Sequence, residues 1–303
     1  MSEHDDRAQI EATVRACYSS WAKSYFNDYY AGTAGYPPVH IDIVRGLLQS
    51  SGAKTVVDAG CGPASMLRCL VDLGLEMYGF DLTAEMVDEA RRTMAAWKIP
   101  SDRFWQGSVA EAADYRRPVA GYDAAICFGV FPHIPANLDE TAIANLHAAL
   151  TPGGMVAIEA RNQLFALFTL NRYSRELFLK DLIHVDSLTA EEREAIAPAL
   201  AALEQQFRTD LPPLRRGKAG EPGYDEVLSR THNPFALRAQ LEAAGFRDVR
   251  VHFYHYHALP PMLETYAPDW FRRRSLALEN PADWRGHFMA SAFIVSALKP
   301  REE

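Results

Sequence analysis

The stretch Thr55-Val56-Val57-Asp58-Ala59-Gly60-Cys61-Gly62-Pro63-Ala64-Ser65-Met66 constrains this chain more than any other. Its β-branched start, Thr55-Val56-Val57, reads as a strand buried on both faces. A tight Gly60-x-Gly62 turn follows, and residues 64–73 carry helical spacing as far as Gly74. Strand, glycine turn and helix is the geometry in which backbone N–H groups at a helix start face a ligand. Side chains on the two glycines would block that approach.

Asp58 selects the ligand. A dinucleotide fingerprint wants a third glycine where Ser65 stands. A carboxylate two residues before Gly60 would also repel a pyrophosphate, which disfavours a nicotinamide dehydrogenase. The same carboxylate suits a cofactor carrying an ammonium or a sulfonium. About twenty residues on, Leu75-Glu76-Met77-Tyr78-Gly79-Phe80-Asp81 reads as a second strand ending in an acid. Asp81 is placed to accept both hydroxyls of a ribose. Together these motifs resemble the class I S-adenosylmethionine (SAM) dependent methyltransferases, over residues 54–160 and again over 233–298. The resemblance implies an α/β fold: a Rossmann-like, mostly parallel sheet with helices on both faces and the last strand antiparallel. It implies SAM as cofactor and leaves the acceptor open.

Composition sets the outer bounds. At 303 residues and net charge −8, the chain can bury one large core, and its two short arginine clusters, Arg215-Arg216-Gly217-Lys218 and Arg272-Arg273-Arg274, are isolated. A nucleic-acid binder carries a broad basic face, so no nucleic acid is expected as substrate. No apolar run approaches the ~20 residues that cross a bilayer, and the polar, acidic start Met-Ser-Glu-His-Asp-Asp-Arg does not read as a signal peptide. Cys17, Cys61, Cys69 and Cys127 show no CxxC spacing and read as free thiols. A soluble cytoplasmic protein is expected, with a homodimer left open.

Residues 7–31 predict one amphipathic helix, with Ile10, Val14, Cys17, Tyr18, Trp21 and Tyr25 on one stripe. In the resembled family such a segment lies over the cofactor, so residues 1–50 are expected to form a helical lid. The tyrosines can equally pack it onto the core. The core itself is expected over 51–160 and 233–303. Thr83 reads as the cap of a helix running to Met94, Arg103–Gly107 as the third strand, and 109–116 as a helix. Tyr122–Gly129 reads as the fourth strand, Asp139–Leu150 as a helix, and Met155–Glu159 as the fifth strand after a Pro-Gly-Gly turn. Residues 161–232 exceed the minimal fold; two helical patterns, 163–183 and 189–208, precede a Pro/Gly-rich loop at 211–223. Their apolar content predicts a mainly helical cap. Asn233-Pro234 opens a further helix, 247–257 reads as the sixth strand, and 287–299 as the last.

The resemblance and the crevice rule for open α/β sheets assign candidate residues. The cofactor set is Tyr25, Asp58, Gly60, Cys61, Gly62, Asp81, Leu82, Met86, Ser108, Val109, Phe128 and Gly129. Met86 is expected to cover the adenine, and Ser108 to meet its amino group or to cap the next helix. Methyl transfer is an in-line displacement that needs alignment in a dry pocket. A hydroxyl acceptor gains from a base, and His133, at the exit of the fourth strand, is the candidate. Arg161, Asn162, His232, His255 and His257 are candidates for holding the acceptor, with Arg161 and Asn162 alternatively tethering the cap. The His252-x2-His255-x-His257 run invites a zinc site. Strand alternation and the lack of a neighbouring cysteine or carboxylate argue against metal. The expected activity is methyl transfer from SAM to a small molecule, at a hydroxyl of a sugar or specialised metabolite. A small-molecule N-methyltransferase and a non-catalytic SAM-binding module are the alternatives.

Overall fold

The structure, a computed structural model, describes residues 3–31, 36–116, 121–209 and 227–301. The basic run at 215–218 and the loop expected at 211–223 lie outside them. The chain divides into two compact units, one of Met1–Arg161, Leu214–His252 and Phe293–Glu303, the other of Asn162–Pro213 and Phe253–Ala292.

In chain order the elements are α1 (Glu3–Ser19), α2 (Tyr25–Tyr29), α3 (His40–Ser51), β1 (Thr55–Ala59), α4 (Ser65–Arg68), β2 (Glu76–Asp81) and α5 (Ala84–Ala95). Then come β3 (Phe104–Gln106), β4 (Tyr122–Cys127), α6 (Asp139–Ala149), β5 (Leu150–Arg161), α7 (Ala166–Thr169), α8 (Arg172–Glu176) and α9 (Ala190–Glu204). The chain closes with α10 (Pro234–Ala243), β6 (Arg247–Tyr256), α11 (Pro268–Ala277), α12 (Gly286–Met289) and β7 (Ala290–Leu298).

The seven strands form one sheet in the order β3-β2-β1-β4-β5-β7-β6. The β1–β2, β1–β4, β2–β3 and β4–β5 pairs are parallel. The Gly153 amide donates to the Lys299 carbonyl, and the Asn162 amide to that of Ser291. As one strand ascends the other descends, so β7 is antiparallel to β5. Val56 and Val57 point to opposite faces and both have zero exposure, as do Ala125 and Ile126. A central strand buried on both sides requires helices on both faces. The chain therefore has the Rossmann-like methyltransferase architecture that the motifs implied.

Several elements differ from the sequence expectation, each for a local reason. The single helix expected over 7–31 is broken after Ser19. Trp21 turns inward, donating from Nε1 to Asp28 at 2.6 Å and packing with Ala22, Met86, Tyr18 and Tyr25. Burial of an aromatic cluster outweighs the continuity of a solvated helix. The helix expected over 64–73 is one α turn, Ser65–Arg68, and a 3₁₀ turn, Val71–Leu73, with Ala64 outside the helix in the left-handed region at φ 59°. The helix expected at 109–116 is the short 3₁₀ turn Ala112–Asp114. Thr83 opens α5 without a side-chain cap bond; its amide donates instead to Asp81. Asn233 does cap α10, accepting from the amides of Phe235 and Ala236.

In the second unit, Thr189 and Glu192 form a reciprocal capping box at the start of α9. Asn162 is buried at 2% exposure, and its amide nitrogen faces the carbonyls of Gly286, His287 and Ala290 at 2.8–3.1 Å. Its oxygen accepts from Leu164.

Candidate active site

The site grows from the ends of β1, β2 and β4. After β1 the chain turns through Gly60 at φ +87°, and the amides of Gly60 and Cys61 both donate to the Phe80 carbonyl. A Cβ on Gly60 would stand 2.1 Å from a methyl of Val130, so only glycine fits. A Cβ on Gly62 would meet nothing within 4 Å, because it would enter the cavity that this turn lines. Cys61 is buried behind the turn, packed against Gly79.

Asp81 ties the first two strands together. One of its oxygens accepts from Gly62 at 2.9 Å, the other from Thr83 at 2.8 Å. The Thr83 hydroxyl donates to the same carboxyl, and a carboxylate's roughly four acceptor sites leave room for a ligand donor besides these three bonds. Burial raises the Asp81 carboxyl above the ordinary range, opposed by the Thr83 and Gly62 amides and the Thr83 hydroxyl. Asp58, 2% exposed, lies under the turn, and its Oδ1 has no partner among the described residues. Burial, and then the charge of Asp81, push its carboxyl up to about 8. A buried, unpartnered carboxylate is costly unless a cation or donor arrives to meet it.

The cavity encloses about 800 Å³ of empty space, open water included. Its walls include Tyr25, Gly60, Gly62, Asp81, Leu82, Met86, Ser108, Val109, Phe128 and Gly129. Ten of the twelve cofactor candidates thus line one cavity, and Asp58 and Cys61 lie just behind it. Gly129 is held by its amide, which donates to the buried Glu159 at 2.8 Å. The Ser108 amide donates to Asp114, while its hydroxyl is 3.4 Å from the Ala110 amide.

His133 lines the same cavity at 7% exposure. Its Nδ1 is 2.6 Å from the Leu228 carbonyl and its Nε2 is 2.9 Å from the Tyr18 hydroxyl. A carbonyl only accepts, so Nδ1 carries the proton and Tyr18 donates to Nε2. Burial first, and then the charge of Arg161, push His133 down to about 4. Tyr18 was only a member of an apolar stripe in the sequence. No local signal foretells a bond to a residue 115 positions away.

The remaining candidates divide. Arg161 donates to the hydroxyl of Ser229, and its charge bears on both Tyr18 and His133. The polar side-chain atoms of Asn162 are engaged by backbone inside the second unit. His232 is buried, with Nε2 3.4 Å from Asp139, its amide bonded to the Arg161 carbonyl, and Nδ1 without a partner among the described residues. His255 and His257 stack in the second unit at 5.0 Å between ring centroids, beside Phe165 and Phe271. Among the described residues, no group of three or more His, Cys, Asp or Glu is arranged to hold a metal ion.

Residues 57–156 match the family described as a methyltransferase domain. The chain is 29% identical to the glycine N-methyltransferase of Mus musculus over 73% of its own length and 77% of that protein. It is 28% identical to an S-adenosyl-L-methionine-dependent Diels-Alderase of Talaromyces variabilis, over 44% of this chain and 47% of the other. Most of the curated relatives it matches are spanned for about half their length. The solved 1,6-didemethyltoxoflavin N1-methyltransferase of Burkholderia thailandensis, with S-adenosylhomocysteine bound, superposes with TM-score 0.52 at 15% identity, covering 99% of this chain and 91% of that one.

Fold, turn and matched segment define one class: a class I, SAM-dependent methyltransferase domain. Its cofactor is SAM. The cavity fits that cofactor, offering an orphaned carboxylate at Asp58 for a cation, an open cradle over Gly62, and room for a ligand donor on Asp81. No helix among the described residues is long and apolar enough to cross a membrane.

Proposed function

We propose that the protein methylates a small-molecule acceptor, and that the acceptor atom is a hydroxyl oxygen of a sugar or specialised metabolite. When bound, the cofactor supplies a methyl group already activated on a sulfonium, so the protein's contribution is alignment and a dry pocket. The observation that carries the reading is the hydrogen-bonded chain from Tyr18 through His133 to the Leu228 carbonyl at the cavity wall. Tyr18 donates its proton to Nε2 and keeps oxygen lone pairs for an acceptor hydroxyl. As the acceptor loses its proton, Tyr18 takes it and passes its own to Nε2. The resulting imidazolium rests on the Leu228 carbonyl. Arg161, whose charge reaches both residues, is the group that would grip an acidic or polyhydroxyl portion of the acceptor. The cofactor set lining the cavity would hold the donor, with Met86 and Ser108 toward the base. Cytoplasmic location and a homodimer belong to the same reading.

N-methylation of a small amine is the second reading, favoured by one observation. A histidine held near 4 is a weak base, and an amine needs none before attack. The two relatives that methylate nitrogen are in keeping with it. Labelled SAM incubated with separate pools of hydroxylated and amino compounds, followed by mass spectrometry for a gain of one methylene, decides between them. Tight SAM binding with no acceptor methylated in either pool would defeat both.

A further inference from the structure

The segment Val227–His232 meets the site and its flanking loop through Leu228, Ser229, Arg230 and His232. Leu228 accepts from His133, Ser229 accepts from Arg161, and the amides of Arg230 and His232 donate to the Pro132 and Arg161 carbonyls at 2.8 and 2.7 Å. The Arg230 side chain reaches furthest. Its Nη1 donates to the Ile134 carbonyl at 2.7 Å and to Asp139 Oδ1 at 3.0 Å; Nη2 donates to Asp139 Oδ2 at 2.6 Å. Asp139 is 3% exposed. Burial raises its carboxyl, but bonds from His232 and Arg230 outweigh that and hold it below the usual range.

The loop so gripped runs from Val130 to Leu138 and carries His133 on one of two short 3₁₀ turns. Its own backbone closes only those two turns, through the His133 amide to Val130 and the Leu138 amide to Pro135, and Pro132 and Pro135 have no N–H to donate. From outside, the Arg230 amide holds the Pro132 carbonyl, and its planar fork satisfies the Asp139 carboxylate and the Ile134 carbonyl together.

We propose that Arg230 is a positioning residue. By pinning Pro132, Ile134 and Asp139 it sets the loop so that the His133 Nδ1–H meets the Leu228 carbonyl, leaving Nε2 as the lone pair that faces Tyr18. This rests on the reading of His133 as proton acceptor. It does not rest on which acceptor is methylated.

The test uses the full chain loaded with S-adenosylhomocysteine, as wild type, Arg230→Lys and Arg230→Met. Imidazole ¹⁵N shifts report the His133 tautomer; calorimetry reports cofactor affinity; kcat and KM are taken with whichever acceptor turns over. Arg230→Met is expected to keep cofactor affinity, lose the pure Nδ1–H tautomer and lower kcat about a hundredfold, the scale of a small misplacement of a reacting group. Arg230→Lys, a point charge without the fork, should fall between, and it decides the matter if the methionine variant fails to fold. An unchanged tautomer and kcat in either folded variant would overturn the proposal. So would a rate loss that merely follows cofactor loss. If the wild type methylates nothing, the function reading fails while the tautomer still judges Arg230.

Discussion

The Tyr18 hydroxyl on α1 lies 2.9 Å from Nε2 of His133, which follows β4. The pair puts a residue of the N-terminal segment into hydrogen-bond contact with the candidate base, and both side chains line the cavity. Tyr18→Phe leaves the Nε2 lone pair buried and unanswered, and His133→Ala removes it. For a hydroxyl acceptor each variant should lower kcat by about 10²–10⁴, the range of general acid–base assistance. The double variant should be no worse than the worse single, because the two act as one unit. Steady-state rates at saturating SAM check this, with S-adenosylhomocysteine affinity as the control for folding. Losses under about tenfold would move the reading to an amine acceptor.

Asp58 links cofactor binding to protons. With its carboxyl near 8 in the empty site, it is mostly protonated at pH 6.5, while a cofactor α-amino group is charged. Binding of the ammonium should ionise Asp58 and release close to one proton per site at that pH. Calorimetry of S-adenosylhomocysteine binding, in buffers of different ionisation enthalpy, measures the number directly. Asp58→Asn should bind more weakly and release none. Release by the variant equal to wild type would move the proton to another group.

Gly60 and Ala64 part company. Gly60 sits at φ +87° with Val130 pressed against it, so Gly60→Val should abolish cofactor binding. Ala64 opens the stretch 64–73 whose spacing predicts a helix, but the residue is left-handed at φ 59° and fully buried. Left-handed backbone costs a non-glycine residue about 1–2 kcal/mol, partly offset by the about 0.5–1 kcal/mol that glycine loses in ordering. Ala64→Gly should therefore leave cofactor affinity alone and raise stability by up to about 1 kcal/mol. Denaturant melts test it, and a clear destabilisation would contradict the strain argument.

What the sequence made legible was local. Asp58, Gly60, Gly62 and Asp81 are read from one turn and one strand end, because backbone geometry there is fixed by residue type. The seven strands follow from apolar runs between turn signals. Tyr18 with His133, and Arg230 with Asp139, join residues far apart in the chain, where no spacing rule operates. Their side chains also looked ordinary, a tyrosine on an apolar stripe and an arginine between Ser229 and Thr231 that belongs to no motif. Asn162 is ambiguous in the sequence for a related reason: a buried amide serves backbone carbonyls as readily as a substrate, and the bonds it makes to Gly286, His287 and Ala290 join residues far apart in the chain.

Asp81→Ala should weaken cofactor binding by about 1.5–3 kcal/mol, the range for hydrogen bonds to a charged group. The carboxylate also holds the Gly62 and Thr83 amides, so the variant should melt earlier even without cofactor. Comparing S-adenosylhomocysteine affinity with adenine-only and nucleoside fragments separates the two effects. The loss should be seen for ligands that carry the ribose hydroxyls and vanish for adenine alone. Unchanged affinity for the whole cofactor would refute the ribose assignment.

His257 gives the acid limb of stability its most direct test. Both ring nitrogens are shut off from solvent with no partner among the described residues. Burial, and then the nearby His255, push it down to about 3, while burial holds His255 and His133 near 4. An unfolded histidine takes up its proton near pH 6.5. Between that pH and about 4 the unfolded chain therefore binds more protons than the folded one. Stability from these groups is complete above pH 6.5 and drains as pH falls, at up to about 1.4 kcal/mol per pH unit for each group. Asp58 runs the other way: its contribution is present below an unfolded carboxyl's pKa and is lost as pH rises through 8. His257→Phe deletes one acid-sensitive group and two orphaned nitrogens beside Phe165 and Phe271. Its Tm should exceed that of wild type at neutral pH, and the gap should widen between pH 6.5 and 4. A gap independent of pH would mean that the folded ring titrates like an unfolded one, against its burial.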